Sequence, residues 1–186
     1  VNVLQMVAED TAPAEITEDS AFYNLCVARA VSDVFYNDRL IKDVPEVVYE
    51  TMAYAVTLNH IKFEGEDYVG MFGMSTWVAD AYLNAMYPTF KGKEPELPED
   101  SSFVVAHFST GMKYLVSPQT FEEFCTTEFY GVEENDDGTY SVKIRIDDYR
   151  FEGYEEYGRA VIVKPDANNP FGYVITDVVD CELPKG

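Results

Sequence analysis

From Thr17 to Asn37 apolar side chains recur every three or four residues, whereas beyond Phe103 they recur every second residue. The first pattern predicts a helix over 17–37. Tyr23, Cys26, Val27, Ala30, Val31 and Val34 share one face, with Asn24, Arg29, Ser32 and Asp33 elsewhere. Thr17, Asp19 or Ser20 serves as its cap, and acids in its first turn suit the helix dipole. A second helix starts at Asp43 as N-cap, with Pro45 in the first turn and Glu46 three residues after the cap. Val47, Thr51, Tyr54, Leu58 and Ile61 line one side of it, and Tyr49, Ala53, Val56 and His60 the other. Apolar residues on both sides predict a central helix held between layers. A third helix runs from Ser75 or Thr76 to Tyr87, where Pro88 ends it, and turns Trp77, Val78, Ala81, Tyr82 and Ala85 inward. The stretch 63–73, with Gly65, Gly70 and Gly73, reads as a connector with at most one short strand; 91–102 reads as an exposed loop.

The period-two half predicts three hairpins. Residues 103–108 and 112–116 flank Ser109-Thr110-Gly111, and 127–132 and 140–147 flank Asn135-Asp136-Asp137-Gly138. Residues 157–164 and 172–179 flank the turn from Pro165 to Pro170. Ser117-Pro118 opens a short helix reaching Cys125. The expected class is α+β: three N-terminal helices packed on a curved C-terminal antiparallel sheet of about six strands. Residues 1–16 form a flexible acidic linker and 17–186 a single domain. This order of elements resembles the cystatin-like and NTF2-like architectures, in which helices pack on a curved antiparallel sheet; the resemblance concerns shape and assigns no catalytic residue.

Charge narrows the choice of partner. The 34 acidic and 13 basic residues leave a formal net charge of −21. Phosphate backbones need a basic footprint, so nucleic acid is excluded as a partner, and an anionic membrane surface is repelled. A cationic partner, a metal ion or a neutral ligand stays open, as an unknown protein or a small molecule. No apolar run is long enough for a membrane-spanning helix. The chain opens on Val1 rather than Met, and the stretch Ala8–Glu15 is rich in small and acidic residues. Together these point to a linker behind a removed signal or lipid-anchor segment, hence to an exported or lipid-anchored, extracytoplasmic protein.

No motif carries a specific chemistry. Cys26, Cys125 and Cys181 lack CxxC or Cys/His spacing and read as reduced, structural thiols. The acidic run Glu133–Gly138 places Gly sixth, but Ile144 stands twelfth where a calcium loop needs Glu. The glycines of 63–73 lack the Walker lysine, and no GxSxG elbow follows any strand. No cofactor and no metal site is expected. Tyr54, His60, Trp77, Tyr82 and His107 are the residues that would line a cleft between helices and sheet. The first expectation is a non-catalytic ligand- or protein-binding domain. The second is a small NTF2-like cleft enzyme in which His60 or His107 works with a carboxylate. A third is an acidic inhibitor of a cationic protein.

Overall fold

A computed structural model describes residues 14–36, 44–64, 71–99, 107–109, 112–116 and 124–184; within these, the side chains of 60–64, 71–76, 107–109 and 112–116 are not described. Three helices, α1 (Ala21–Phe35), α2 (Pro45–Glu64) and α3 (Thr76–Met86), pack against a four-stranded antiparallel sheet, an α+β arrangement. That sheet is a meander of β4 (Cys125–Glu134), β5 (Tyr140–Asp148), β6 (Glu155–Pro165) and β7 (Tyr173–Asp180). The remaining strands, β1 (Met71–Ser75), β2 (His107–Ser109) and β3 (Met112–Val116), make a separate sheet in the order β1-β3-β2. Among the described residues, the expected single sheet of about six strands is two sheets of four and three strands. Part of the glycine-bearing connector supplies β1, which pairs with β3 from Met71↔Val116 to Ser75↔Met112.

In β5 the alternation holds: Val142, Ile144 and Ile146 are fully buried under the helices, while Lys143, Arg145 and Asp147 point to the other face. The β4–β5 turn closes through Gly138 N–H donating to the Asn135 carbonyl (3.1 Å), with Gly138 at φ 82°, a conformation that favours glycine. Gly158 is required for a different reason. The chain after β7 crosses it, and a Cβ there would run into the Cys181 carbonyl oxygen.

Helix α1 departs from the amphipathic expectation. Thirteen of its 15 residues are buried, including Asn24, Arg29 and Ser32 on the side expected to be wet. It begins at Ala21 with Ser20 at the N-cap position, makes no side-chain cap bond and has no acid in its first turn. The Ser20 hydroxyl is engaged backwards, accepting the Thr17 N–H at 2.8 Å. Ahead of it Ile16 is already buried, and the Ala14 carbonyl accepts a bond from Tyr173 Oη (2.9 Å). Residues 47–55 of α2 are all buried, as a central helix requires; its Asp43 cap lies outside the described residues. Most of the short helix expected from Ser117 does too, and Cys125 opens β4 rather than closing a helix. The 91–99 loop is largely exposed except at Pro95, whose carbonyl accepts the Tyr49 hydroxyl (2.9 Å).

A buried ion pair joins the layers: Arg159 Nε of β6 lies 2.8 Å from Asp33 Oδ2 of α1, both largely shielded from water. Removing Arg159 strands the Asp33 carboxylate, whereas removing Asp33 leaves Arg159 only the exposed Asp180 carboxylate at 3.2 Å. Arg159→Met should therefore cost about 3 kcal/mol, and the Asp33→Leu/Arg159→Met protein clearly less than Asp33→Leu and Arg159→Met together. Denaturant unfolding of the four proteins measures this; strict additivity would show that the pair does not join the layers.

Candidate functional site

The five expected cleft residues do not share one environment. Tyr54 and Tyr82 are buried in the core among α1, α2 and α3. The Tyr82 phenol accepts a bond from Asn59 Nδ2 (2.8 Å), and Asn59 Oδ1 accepts one from Asn24 Nδ2 (2.8 Å), so the three helices share one buried polar chain. Burial pushes the Tyr82 phenol well above its ordinary pKa, against the opposing effect of Asn59. Trp77, in the first turn of α3, is 56% exposed and does not face inward. His60 lies on α2 beside Asn59, and His107 lies on β2 opposite Tyr114; their side chains lie outside the described residues. Among the described residues, no group of three or more His, Cys, Asp or Glu side chains is arranged to hold a metal ion, and no helix is long and apolar enough to cross a membrane. None of the three cysteines is in a disulfide, and burial raises the Cys26 thiol far above its ordinary value.

Exposed aromatics gather instead at the β5–β6 connection. β5 ends at Asp148, β6 resumes at its register partner Glu155, and the chain between them is Tyr149-Arg150-Phe151-Glu152-Gly153-Tyr154. Phe151 is 72% exposed, Tyr154 56% and Tyr149 45%, with Phe124 beside them at 37%. The Tyr149 and Tyr154 rings lie 5.6 Å apart, and Tyr149 N–H donates to the Phe124 carbonyl at 2.7 Å. Connections of this kind are ordinarily polar, and four large apolar groups at one end of a sheet depart from that composition.

The tip is held from below by one side chain. Arg150 Nη2 meets Asp148 Oδ2 at 2.8 Å and Nε meets both carboxylate oxygens. Its Nη1 donates to the Phe35 carbonyl (3.1 Å) and Nη2 to that of Val34 (3.5 Å), at the C-terminal end of α1. The guanidinium also lies 4.0 Å from the centroid of the Phe35 ring. A cation there meets the negative end of the helix dipole and satisfies carbonyls the helix leaves open. Burial pushes the Asp148 carboxyl up, but the Arg150 bonds outweigh it and hold the group below its ordinary range.

Behind the tip, Tyr36, which follows α1, donates its hydroxyl in a short bond to Glu50 Oε2 of α2. Burial raises the Glu50 carboxyl above its ordinary value, and the Tyr36 bond only partly opposes this. One turn earlier, Glu46 Oε2 is buried with no hydrogen-bond partner among the described residues. Of these groups the sequence pattern singles out Glu46 alone, and that as a capping residue. The one available signal for the tip was three aromatic residues within a six-residue hairpin connection.

Two measurements follow from this geometry. Arg150→Ala should destabilise by about 2–3 kcal/mol, because it strands the buried Asp148 carboxylate and opens the α1 terminus; Arg150→Lys should recover only part, having no planar fork. Recovery of full stability by lysine in thermal unfolding would rule out the fork. Glu50 works in the opposite sense with pH. Its raised folded-state value means that the native state holds the proton more tightly, so stability drains away as pH climbs above about 4.5. Glu50→Gln should gain on the parent protein as pH rises from about 4 to 7; a constant difference across urea unfolding at several pH values would contradict the buried-acid account.

Comparison of the chain with protein-family models, curated proteins and solved structures gives no match, so the functional reading rests on this geometry.

Proposed function

We propose that this chain is a non-catalytic binding domain whose contact surface is the β5–β6 tip. One observation carries the reading: Tyr149, Phe151 and Tyr154 are displayed together on a connection that Arg150 fixes to the end of α1. Exposing three aromatic rings lowers solubility, and pinning them with a half-buried arginine uses a charged residue the core does not need. Both features fit a surface kept ready for contact, since a fixed loop loses little entropy when it docks. The core position of Tyr54 and Tyr82 supports the same reading. In overall shape, α1 lying on the β4–β7 meander suits the cystatin-like arrangement, and the exported or lipid-anchored setting belongs to the same proposal.

The test is a map of binding. Titration of the isotopically labelled protein with a library of short peptides and fragments should shift backbone amide resonances mainly within 147–156. The Phe151→Ala/Tyr154→Ala protein should lose those shifts while its stability stays within about 0.5 kcal/mol of the parent, as surface changes do. Shifts centred instead on His60 or His107, accompanied by turnover of a bound compound, would replace this proposal with the cleft-enzyme reading.

A further inference from the structure

We infer that the β5–β6 tip receives an arginine-rich, extended segment of a partner protein; this rests on the binding-domain reading above and adds the chemistry of the partner. Within Asp147–Glu156 there are five acids and one arginine. That arginine is turned inward onto Asp148, and Arg145 holds Asp147 and Glu156, so the exposed end presents aromatic rings beside Glu152 and Glu155. Glu152 is exposed and has no partner among the described residues, and Glu155 and Glu156 flank the exit into β6. The chain as a whole carries a net charge of −21, so acidic partners and anionic lipid surfaces are repelled. What complements such a surface is a cation that also has a flat, weakly hydrated face. Guanidinium is that group: it stacks on aromatic rings and forks onto a carboxylate, while ammonium is a strongly hydrated point charge.

The protein already makes the same contact internally. Arg29 lies 4.2 Å from the Tyr87 ring centroid, Arg150 4.0 Å from that of Phe35 and 5.4 Å from that of Phe151, and Arg159 5.4 Å from that of Tyr157. Each of these cations is buried or partly buried. At the tip the outer faces of the rings are open; Asp147 and Glu156 are held by Arg145 and Asp148 by Arg150, so Glu152, with Glu155 near it, is the carboxylate left for a partner's guanidinium. The outer carboxylates would speed encounter in a salt-dependent way, and the rings would set the preference for arginine.

The experiment measures fluorescence anisotropy of labelled octa-arginine, octa-lysine and an uncharged glycine–serine octapeptide against the full chain at about 0.15 M salt, where exposed charges interact only over ~8 Å. Octa-arginine should bind at least about five-fold more tightly than octa-lysine, the difference a single exposed cation–π contact supplies, and the uncharged peptide should not bind. Phe151→Ala/Tyr154→Ala, which leaves the charge unchanged, should weaken octa-arginine binding by about ten-fold or more. Glu134→Gln/Asp136→Asn, which removes two charges at the opposite end of β5, should change it by less than about two-fold. Equal binding of the two cationic peptides, or an aromatic double variant that binds like the parent, would mean diffuse attraction to net charge and would overturn the inference. Uptake onto phosphatidylcholine vesicles that depends on Phe151, without any arginine preference, would also overturn it while leaving the tip as the contact surface. Absence of both, with amide shifts at His60 or His107 in the earlier map, would remove the binding-domain reading as well.

Discussion

Helix α1 has no wet side, and the rest of the molecule is arranged around that constraint. A helix buried on every face cannot leave a polar group without a partner, because each such group costs about 1–3 kcal/mol when stranded. Its polar side chains therefore reach out to different elements. Asn24 goes to Asn59 of α2 and through it to Tyr82 of α3. Arg29 donates to the Met86 carbonyl at the end of α3. Ser32 meets the Thr51 hydroxyl of α2 at 2.9 Å, and Asp33 takes Arg159 of β6. The aromatic rings on its other face pack on the sheet side, Tyr23 against Phe129 at 5.0 Å and Phe22 stacked on Tyr173 at 5.3 Å. Each bond is modest in net energy, yet together they fix the depth and rotation of α1 far more narrowly than apolar packing alone.

The same constraint places the candidate site. The carbonyls at the C-terminal end of α1 are covered, so something must satisfy them, and the β5–β6 connection supplies Arg150 for the purpose. The position of the tip thus follows from where α1 ends. A second consequence lies on the opposite side of the molecule, in the β6–β7 loop. Asn169 is buried there and donates to the Ala81 carbonyl of α3 (3.3 Å), while Phe171 sets its ring edge-on to Tyr82 at 5.0 Å. One hairpin connection is thus drawn into the core, and the other turns its arginine in and its aromatic rings out.

Much of the fold was legible because period and punctuation agreed. The third helix was expected to stop at Pro88 and stops at Met86; β5 and its turn at Gly138 fell where alternation and the Asn-Asp-Asp-Gly run put them. What was not legible depends on partners distant in sequence. Asn24, Arg29, Ser32 and Asp33 look like a solvated helix face until their partners, at residues 51, 59, 86 and 159, are brought in. Trp77 looks like an inward residue by helical spacing but is 56% exposed, while Ala81, Tyr82 and Ala85 of the same expected face are buried together with Ala79, Leu83 and Met86. The tip escaped notice because period-based reading treats a hairpin connection as punctuation, and its aromatic content was weighed as composition rather than as position. Large aromatics and histidines are poor markers of a cleft, because a core also consumes them.

The fate of the arginines sharpens the electrostatic picture. The chain has five, and four lie among the described residues: Arg29, Arg145, Arg150 and Arg159. None of the four presents an unengaged guanidinium to solvent. Arg29 and Arg159 are buried, Arg150 is spent on Asp148 and α1, and Arg145 is bound by Asp147 and Glu156. Ion pairing of this kind cancels local carboxylates on the sheet and in the interior but leaves those on the connections uncancelled, Glu152 among them. Among the described residues, negative charge therefore remains at both ends of β5. At one end it surrounds polar turn residues, Asp136 and Asp137 beside Gly138. At the other it surrounds open aromatic rings. The two ends share a sign and differ in apolar content, and only the second can hold a cation by its face as well as by its charge.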